Sequence, residues 1–201
     1  MAGLRERKKE RIRNAIQKEA LRLFTEQGFE QTTVEQVADA AGVSPATFYR
    51  YFTSKEDSVV TDGFDPIFVA SLVDRPADEP LIDSVRATMT DVVAKHLARD
   101  RDLLIARHRL TRETPALHVA FFEEQERSLE LFSALIARHV RRPVDDLDVR
   151  IACGALAGAM HEAFGLWFAQ GAEGGEARIR ELLERAISRC ASARDFSSGG
   201  S

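Results

Sequence analysis

The stretch from Thr32 to Lys55, TTVEQVADAAGVSPATFYRYFTSK, constrains this chain more than any other. Thr32 or Thr33 can cap a helix, with Glu35 or Gln36 placed to return the bond to the cap backbone. Val34, Val37, Ala38 and Ala41 follow at the spacing of one apolar helix face. Gly42 stands just beyond, where a chain leaving a helix needs a positive φ that glycine adopts cheaply. Ser44 then offers a second cap, and Pro45 suits a first helical position because its missing N–H has no helical partner there. Phe48 and Phe52, four apart, pin this second helix to a core.

Two short helices joined by so tight a turn form a helix-turn-helix. The residues left outside the apolar face are types that meet DNA. Ala46 is small enough to let the helix approach the floor of a major groove. Thr47 can bond base edges or meet a thymine methyl, and Arg50 can fork onto guanine or grip a phosphate. Tyr49, Tyr51 and Lys55 are phosphate-holding types that set register. Residues 5–13, RERKKERIR, carry six basic and two acidic side chains, a net of +4. Placed before a helix-turn-helix, that run is expected to touch the phosphate backbone. Ile12, Ile16, Ala20, Leu23 and Phe24 then form a helical stripe ending at Gln27-Gly28.

At these positions the chain resembles the TetR family of bacterial one-component transcriptional regulators. The resemblance is carried by Thr33, by Ala41-Gly42-Val43-Ser44, by Phe48-Tyr49-Arg50-Tyr51-Phe52 and by Lys55. It covers about the first 60 residues. It implies an all-α fold with an N-terminal three-helix DNA-binding domain at 1–55 and a larger ligand-binding and dimerisation domain at 56–194. Residues 195–201 read as a disordered Ser/Gly tail. The DNA-contacting set expected from residue chemistry and resemblance together is Thr33, Ser44, Pro45, Ala46, Thr47, Tyr49, Arg50, Tyr51 and Lys55.

Charge divides along the chain in the same sense. Residues 1–55 hold 10 Lys/Arg against 7 Asp/Glu, and the remainder takes the whole to −4. An acidic protein with a basic head fits one DNA-facing end better than a uniform nucleic-acid coat.

Beyond Lys55 the pattern is helical throughout, without β-type alternation. A helix capped by Ser54 carries Val59, Val60, Phe64, Ile67 and Phe68, with a kink expected at Gly63 and Pro66. A proline-rich loop, 74–80, precedes a helix running to His96, and a separate shorter helix is expected near 102–112. Thr114-Pro115 begins a long helix that breaks at Arg142-Pro143, and helices near 149–170 and 176–191 complete the domain. Pocket walls are expected from Phe64, Phe68, Met89, Val93, Phe121, Phe122, Met160, Phe164, Trp167 and Phe168. His96, His118, His161 and Glu162 are polar handles. Such a pocket suits a small hydrophobic effector.

The run 151–169 is long enough to raise the question of a membrane span, but His161, Glu162 and its glycines argue against a lipid-facing helix. Small residues at Gly154, Ala155 and Gly158 instead allow close helix approach. The TetR resemblance places a four-helix dimer interface on the last two helices, with Ile179, Leu182, Leu183, Ala186 and Ile187 completing it. A homodimer is what operator reading requires, since two recognition helices one DNA turn apart read a palindrome.

A weaker resemblance covers LLIARHRLTRETPALHVAFFEEQER, residues 103–127. It is similar to a C-terminal domain of actinobacterial TetR regulators that includes the mycofactocin-linked ones. That implies an acyl-CoA-like ligand, with Arg107, Arg109 and Arg112 set to neutralise its phosphates.

Cys153 and Cys190 lack metal or redox spacing and read as apolar fillers of a reduced cytoplasm. The charged N-terminus has no apolar core behind it, so no signal peptide is expected. No metal-ligand spacing, phosphate-cradling loop or nucleophile elbow is present, so neither catalytic residues nor a cofactor is expected. The alternatives are a helical-scaffold enzyme, which turnover would reveal, or a non-DNA adaptor, which failure to bind any DNA at low salt would reveal.

Overall fold

The computed structural model describes residues 2–61, 63–76 and 79–192. Every regular element among them is a helix: α1 Ala2–Gln27, α2 Val34–Ala40, α3 Pro45–Tyr51, α4 Asp57–Val60, α5 Phe64–Val73, α6 Leu81–Glu113, α7 Pro115–Val140, α8 Leu147–Ala169 and α9 Gly175–Ser192. The tail expected at 195–201 lies outside the described residues.

The chain forms two compact units, and they do not follow chain order. The first combines residues up to 61 with 102–124, and the second combines 63–101 with 125 onward. The expected division into 1–55 and 56–194 cuts the chain once. The compact first unit also takes in the junction of α6 and α7.

Local chemistry explains the ends of the short helices in the first unit. Thr33 caps α2 through a capping box: its hydroxyl accepts from Gln36 N, and its own N–H donates to Gln36 Oε1 at 2.8 Å. Thr32, the other candidate cap, is buried and donates its hydroxyl to Gly28 O at 2.8 Å. Gly42 sits at φ +67° and donates to Asp39 O, while Val43 N donates to Ala38 O at 2.9 Å. This pair of bonds is a Schellman stop, which needs a left-handed residue where the glycine stands. Ser44 caps α3 by accepting from Thr47 N at 3.1 Å.

Ile16, Leu21, Phe24, Phe29, Val37, Phe48, Phe52 and Val59 form the core of this unit. Leu110 of α6 and Leu117 of α7 are buried in the same cluster, and Leu103 packs against it. Gln17, buried on α1, donates from Nε2 to the carbonyls of Ser58 and Thr61 at the end of α4.

Two expectations for the middle of the chain are corrected. The kinked helix from Ser54 to Phe68 is two helices, because Gly63 takes φ +77° between them. Pro66 falls in the first turn of α5, where its missing N–H has no helical partner. The separate helix near 102–112 does not exist: α6 runs unbroken for 33 residues. Residues 97–102 contain neither glycine nor proline, and arginine propagates a helix well.

In the second unit Phe68, Val85, Met89, Val92, Val93 and Leu97 are buried. α8 and α9 pack along each other, and Ile179, Leu182, Leu183 and Ile187 are buried there. Their connection is unusual: Gly171, Ala172, Gly174 and Gly175 all have positive φ. A Cβ on Gly174 would meet Arg178 Cβ at 2.8 Å. α8 is long and apolar enough to cross a membrane by length and composition, and it buries Val149, Cys153, Leu156, Ala163 and Trp167.

α7 ends in a second Schellman stop, with Arg142 N donating to Ala137 O at 2.9 Å. Here the left-handed position is Arg141, at φ 55° and exposed to solvent. A Cβ in that conformation is strained, and glycine relieves it. Arg141→Gly is therefore expected to stabilise the protein by about 0.5–1 kcal/mol. A chemical-denaturation midpoint that falls rather than rises contradicts this account.

Candidate nucleic-acid interface

α3 is seven residues long and too short to persist alone. Phe48 and Phe52 are buried on one side, with ring centroids 5.7 Å apart. That fixes the rotation of the helix and leaves Pro45, Ala46, Tyr49 and Arg50 exposed, Tyr49 by 55%. The Ser44 hydroxyl also donates to Thr47 Oγ1 at 3.0 Å, which holds the Thr47 side chain at the N-terminal end of α3. Arg50 lays its guanidinium over the Tyr51 ring at 5.4 Å, and Tyr51 packs against the core. The arginine is thus backed by an aromatic plane while its donors face outward. Thr33 is spent as a cap but remains exposed at the start of α2.

Lys55 sits differently from the others. Its ammonium donates to Phe29 O at 3.0 Å and stands 4.2 Å over the Phe29 ring. It ties the stretch after α3 to the α1–α2 connection, which leaves two of its three N–H groups for any anion. The basic run forms the first turns of α1 itself, with Arg7, Lys8, Lys9 and Arg11 exposed. The side chains of Arg5 and Glu6 lie outside the description. Arg13 turns inward, donating from Nη2 to Thr61 O at 3.2 Å and lying 5.6 Å over the Phe52 ring.

Within the second unit lies a cavity of about 20 Å³ lined by Phe68, Leu72, Val85, Phe132, Ile136, Cys153, Leu156, Ala157 and Met160. Of the expected pocket residues, only Phe68 and Met160 line it. Phe64 stacks on Phe68 at 5.9 Å, and His96 stands 5.7 Å from the Phe64 ring. Met89, Val93 and Trp167 are buried in the same unit, with Phe164 and Phe168 half-buried beside Trp167 on α8. Phe121 and Phe122 belong to the first unit, and Phe122 packs edge-on to His118 at 5.0 Å with half its surface exposed. His161 and Glu162 are exposed on α8.

The wall is therefore mostly aliphatic. Val85, Phe132 and Ile136 fall on apolar helical stripes visible in the sequence, but nothing distinguished them from ordinary core. Burial pushes the Cys190 thiol pKa up, and the protonated thiol donates to Ala155 O at 3.4 Å.

The expected dimer residues separate into two groups. Ile179, Leu182, Leu183 and Ile187 are already buried within one protomer, and Ala186 is half-buried. Gly154, Ala155 and Gly158 are exposed on α8, in one stripe with Leu147, Ile151 and Leu166. Leu147 and Ile151 expose 70% and 59% of their surface. Glu162, also exposed, interrupts the stripe before Leu166, so the apolar strip runs from Leu147 to Gly158, and a strip of that kind is uncommon on a monomer.

Comparisons with known proteins agree with this geometry. Residues 16–57 match the family described as bacterial regulatory proteins, tetR family, and residues 79–195 match the MftR C-terminal domain. The chain is 36% identical over 153 residues to the HTH-type transcriptional regulator TcmR of Streptomyces glaucescens, spanning 72% of this chain and 67% of that one. Among solved structures, it is similar to NalD, the secondary repressor of the MexAB-OprM multidrug efflux pump in Pseudomonas aeruginosa. The TM-score is 0.59 at 21% identity, with 91% of this chain and 96% of NalD covered. It is also similar to the Thermus thermophilus FadR repressor solved with lauroyl-CoA, at a TM-score of 0.52 and 23% identity, with 89% and 93% covered. The helix-turn-helix geometry of α2 and α3 and these matches together identify the chain as a member of the tetR family, a DNA-binding transcriptional regulator with a helix-turn-helix.

Proposed function

We propose that this protein is a homodimeric repressor of the cytoplasm that binds a palindromic operator and leaves it when a small hydrophobic, acyl-CoA-like effector is bound. The observation that carries the reading is the outward face of α3, where Ala46, Tyr49 and Arg50 are exposed and Thr47 is half-buried at the N-terminal end. In this reading Thr33, Ser44, Pro45, Tyr51 and Lys55 border the interface and meet phosphates. The exposed basic residues of α1 add salt-sensitive affinity.

A single seven-residue helix supplies too little contact for a specific site, so two heads act together. The exposed α8 strip supports the dimer, because Gly154, Ala155 and Gly158 let a second helix approach closely. The apolar cavity of the second unit supports an effector with a hydrocarbon portion, and the T. thermophilus relative was solved with such a ligand.

The first test is selection of bound sequences from random DNA by the purified protein. A palindrome is expected, and recovery of no motif at low salt overturns the reading. On the selected operator, Arg50→Ala is expected to weaken binding by about 1–3 kcal/mol and to relax base preference at one position. Equal loss on cognate and random DNA would reduce Arg50 to a phosphate contact.

The dimer has its own test. A Cβ added to Gly158 meets nothing within 4 Å in the protomer, so a bulky side chain there does not strain the fold. Gly158→Leu is expected to leave helix content unchanged while shifting sedimentation toward the monomer and lowering operator affinity at least about tenfold. An intact dimer would move the interface elsewhere.

A further inference from the structure

Two charged side chains on the outward face of α8, Arg150 and Glu162, are exposed and make no ion pair or side-chain hydrogen bond among the described residues. Their own helix offers them nothing. Asp146, one turn before Arg150, already accepts from Asp148 N and Val149 N and pairs with Arg142 at 3.1 Å. The positions one turn from Glu162 are Gly158, Ala159, Gly165 and Leu166, none of them basic. Arg178 and Arg180 of α9, by contrast, pair with Glu181 and Glu176.

The placement of the two charges is self-complementary. Arg150, Gly154, Gly158 and Glu162 are successive members of one i+4 ridge, and all four are exposed. Ridges of this kind interdigitate in the commonest class of helix packing. The glycines stand in the middle, and a Cβ at either would meet nothing within the protomer, so a neighbouring backbone can come close there. The charges stand one turn beyond on either side. A two-fold axis midway between Gly154 and Gly158 lays the ridge against its own copy in the opposite direction. Position 150 then faces position 162 of the partner subunit, and 162 faces 150, as an isologous contact requires. A copy laid parallel would set arginine against arginine and glutamate against glutamate, which is repulsive. The exposed Leu147 and Ile151 supply the apolar surface that such a contact covers.

We infer that this face of α8 docks a second copy of the chain antiparallel, with Arg150 of each protomer paired to Glu162 of the partner subunit on either side of a Gly154–Gly158 crossing. The inference rests on the homodimer proposed above and adds its direction, its register and the charges that select the partner. A related chain with the same small and apolar residues but like charges at these two positions is rejected by repulsion.

The test is sedimentation of the full-length protein with charge reversals at the two exposed positions. Arg150→Glu and Glu162→Arg are each expected to weaken the dimer at least about tenfold, because each places two like-charged pairs in the interface. The double variant, with both reversals in one chain, is expected to recover the wild-type dimer constant. An equimolar mixture of the two single variants is expected to form a heterodimer, since each supplies the charge that the other lacks. Should a reversal fail to fold, Arg150→Gln and Glu162→Gln take its place. A double neutral variant no weaker than either single one then marks the pair, and additive losses overturn it. Unchanged dimerisation in both single reversals, or a double reversal no tighter than the singles, overturns the Arg150–Glu162 register and leaves the dimer standing. A monomeric wild type overturns the dimer and the register with it.

Discussion

The outward face of α3 depends on two rings that never reach it. Phe48 and Phe52 are buried against α1, and they set the rotation of a helix with barely two turns. Burying each ring contributes on the order of 1.5–3 kcal/mol, far more than such a helix gains from its own hydrogen bonds. One residue of slip would turn the helix by about 100°, taking a ring out of the core and pushing Tyr49 into it. The caps act on the same constraint. Ser44 fixes where α3 begins, and the Gly42 stop fixes where α2 ends, so no register other than the observed one satisfies both ends.

That core is not complete within the first 61 residues. Leu110 and Leu117 are buried in it, one near the end of α6 and one near the start of α7. The first unit is thus discontinuous in sequence. α6 also supplies Val85 to the cavity wall, so a single unbroken helix has side chains in the cavity and in the core of the first unit. Continuity alone does not make a switch. A ligand alters the head only to the extent that it prefers one arrangement of these helices over another.

The legible parts of the sequence were those governed by local rules. Thr33, Gly42, Ser44 and Pro45 each have one chemically sensible position relative to a helix end, and the spacing 48/52 leaves one side of α3 for the core. Surfaces covered by remote segments were less legible. Ile179, Leu182, Leu183 and Ile187 announce an apolar face on α9, but periodicity cannot say what covers it, and within the protomer α8 does so. Aromatic residues drew attention as pocket walls, whereas the cavity is bounded largely by Leu72, Val85, Ile136, Leu156 and Met160. Aliphatic residues on a helical stripe look alike whether they meet another side chain or a void. Lys55 illustrates the same limit: its type suggests a phosphate, and only the fold shows Phe29 O within its reach.

The size of the cavity restricts what can fill it. About 20 Å³ holds roughly one water-sized body, so a ligand enters only by parting side chains already in contact. The edge-on pair Phe68–Phe132, 4.9 Å between centroids, and the unbranched Met160 border the cavity. Where a site must open to bind, apparent affinity falls in proportion to the open population. A compact polar ligand gains little from walls made of carbon and sulfur. A linear hydrocarbon gains about 0.8 kcal/mol for each methylene it buries, so ten methylenes contribute about 8 kcal/mol against the cost of opening.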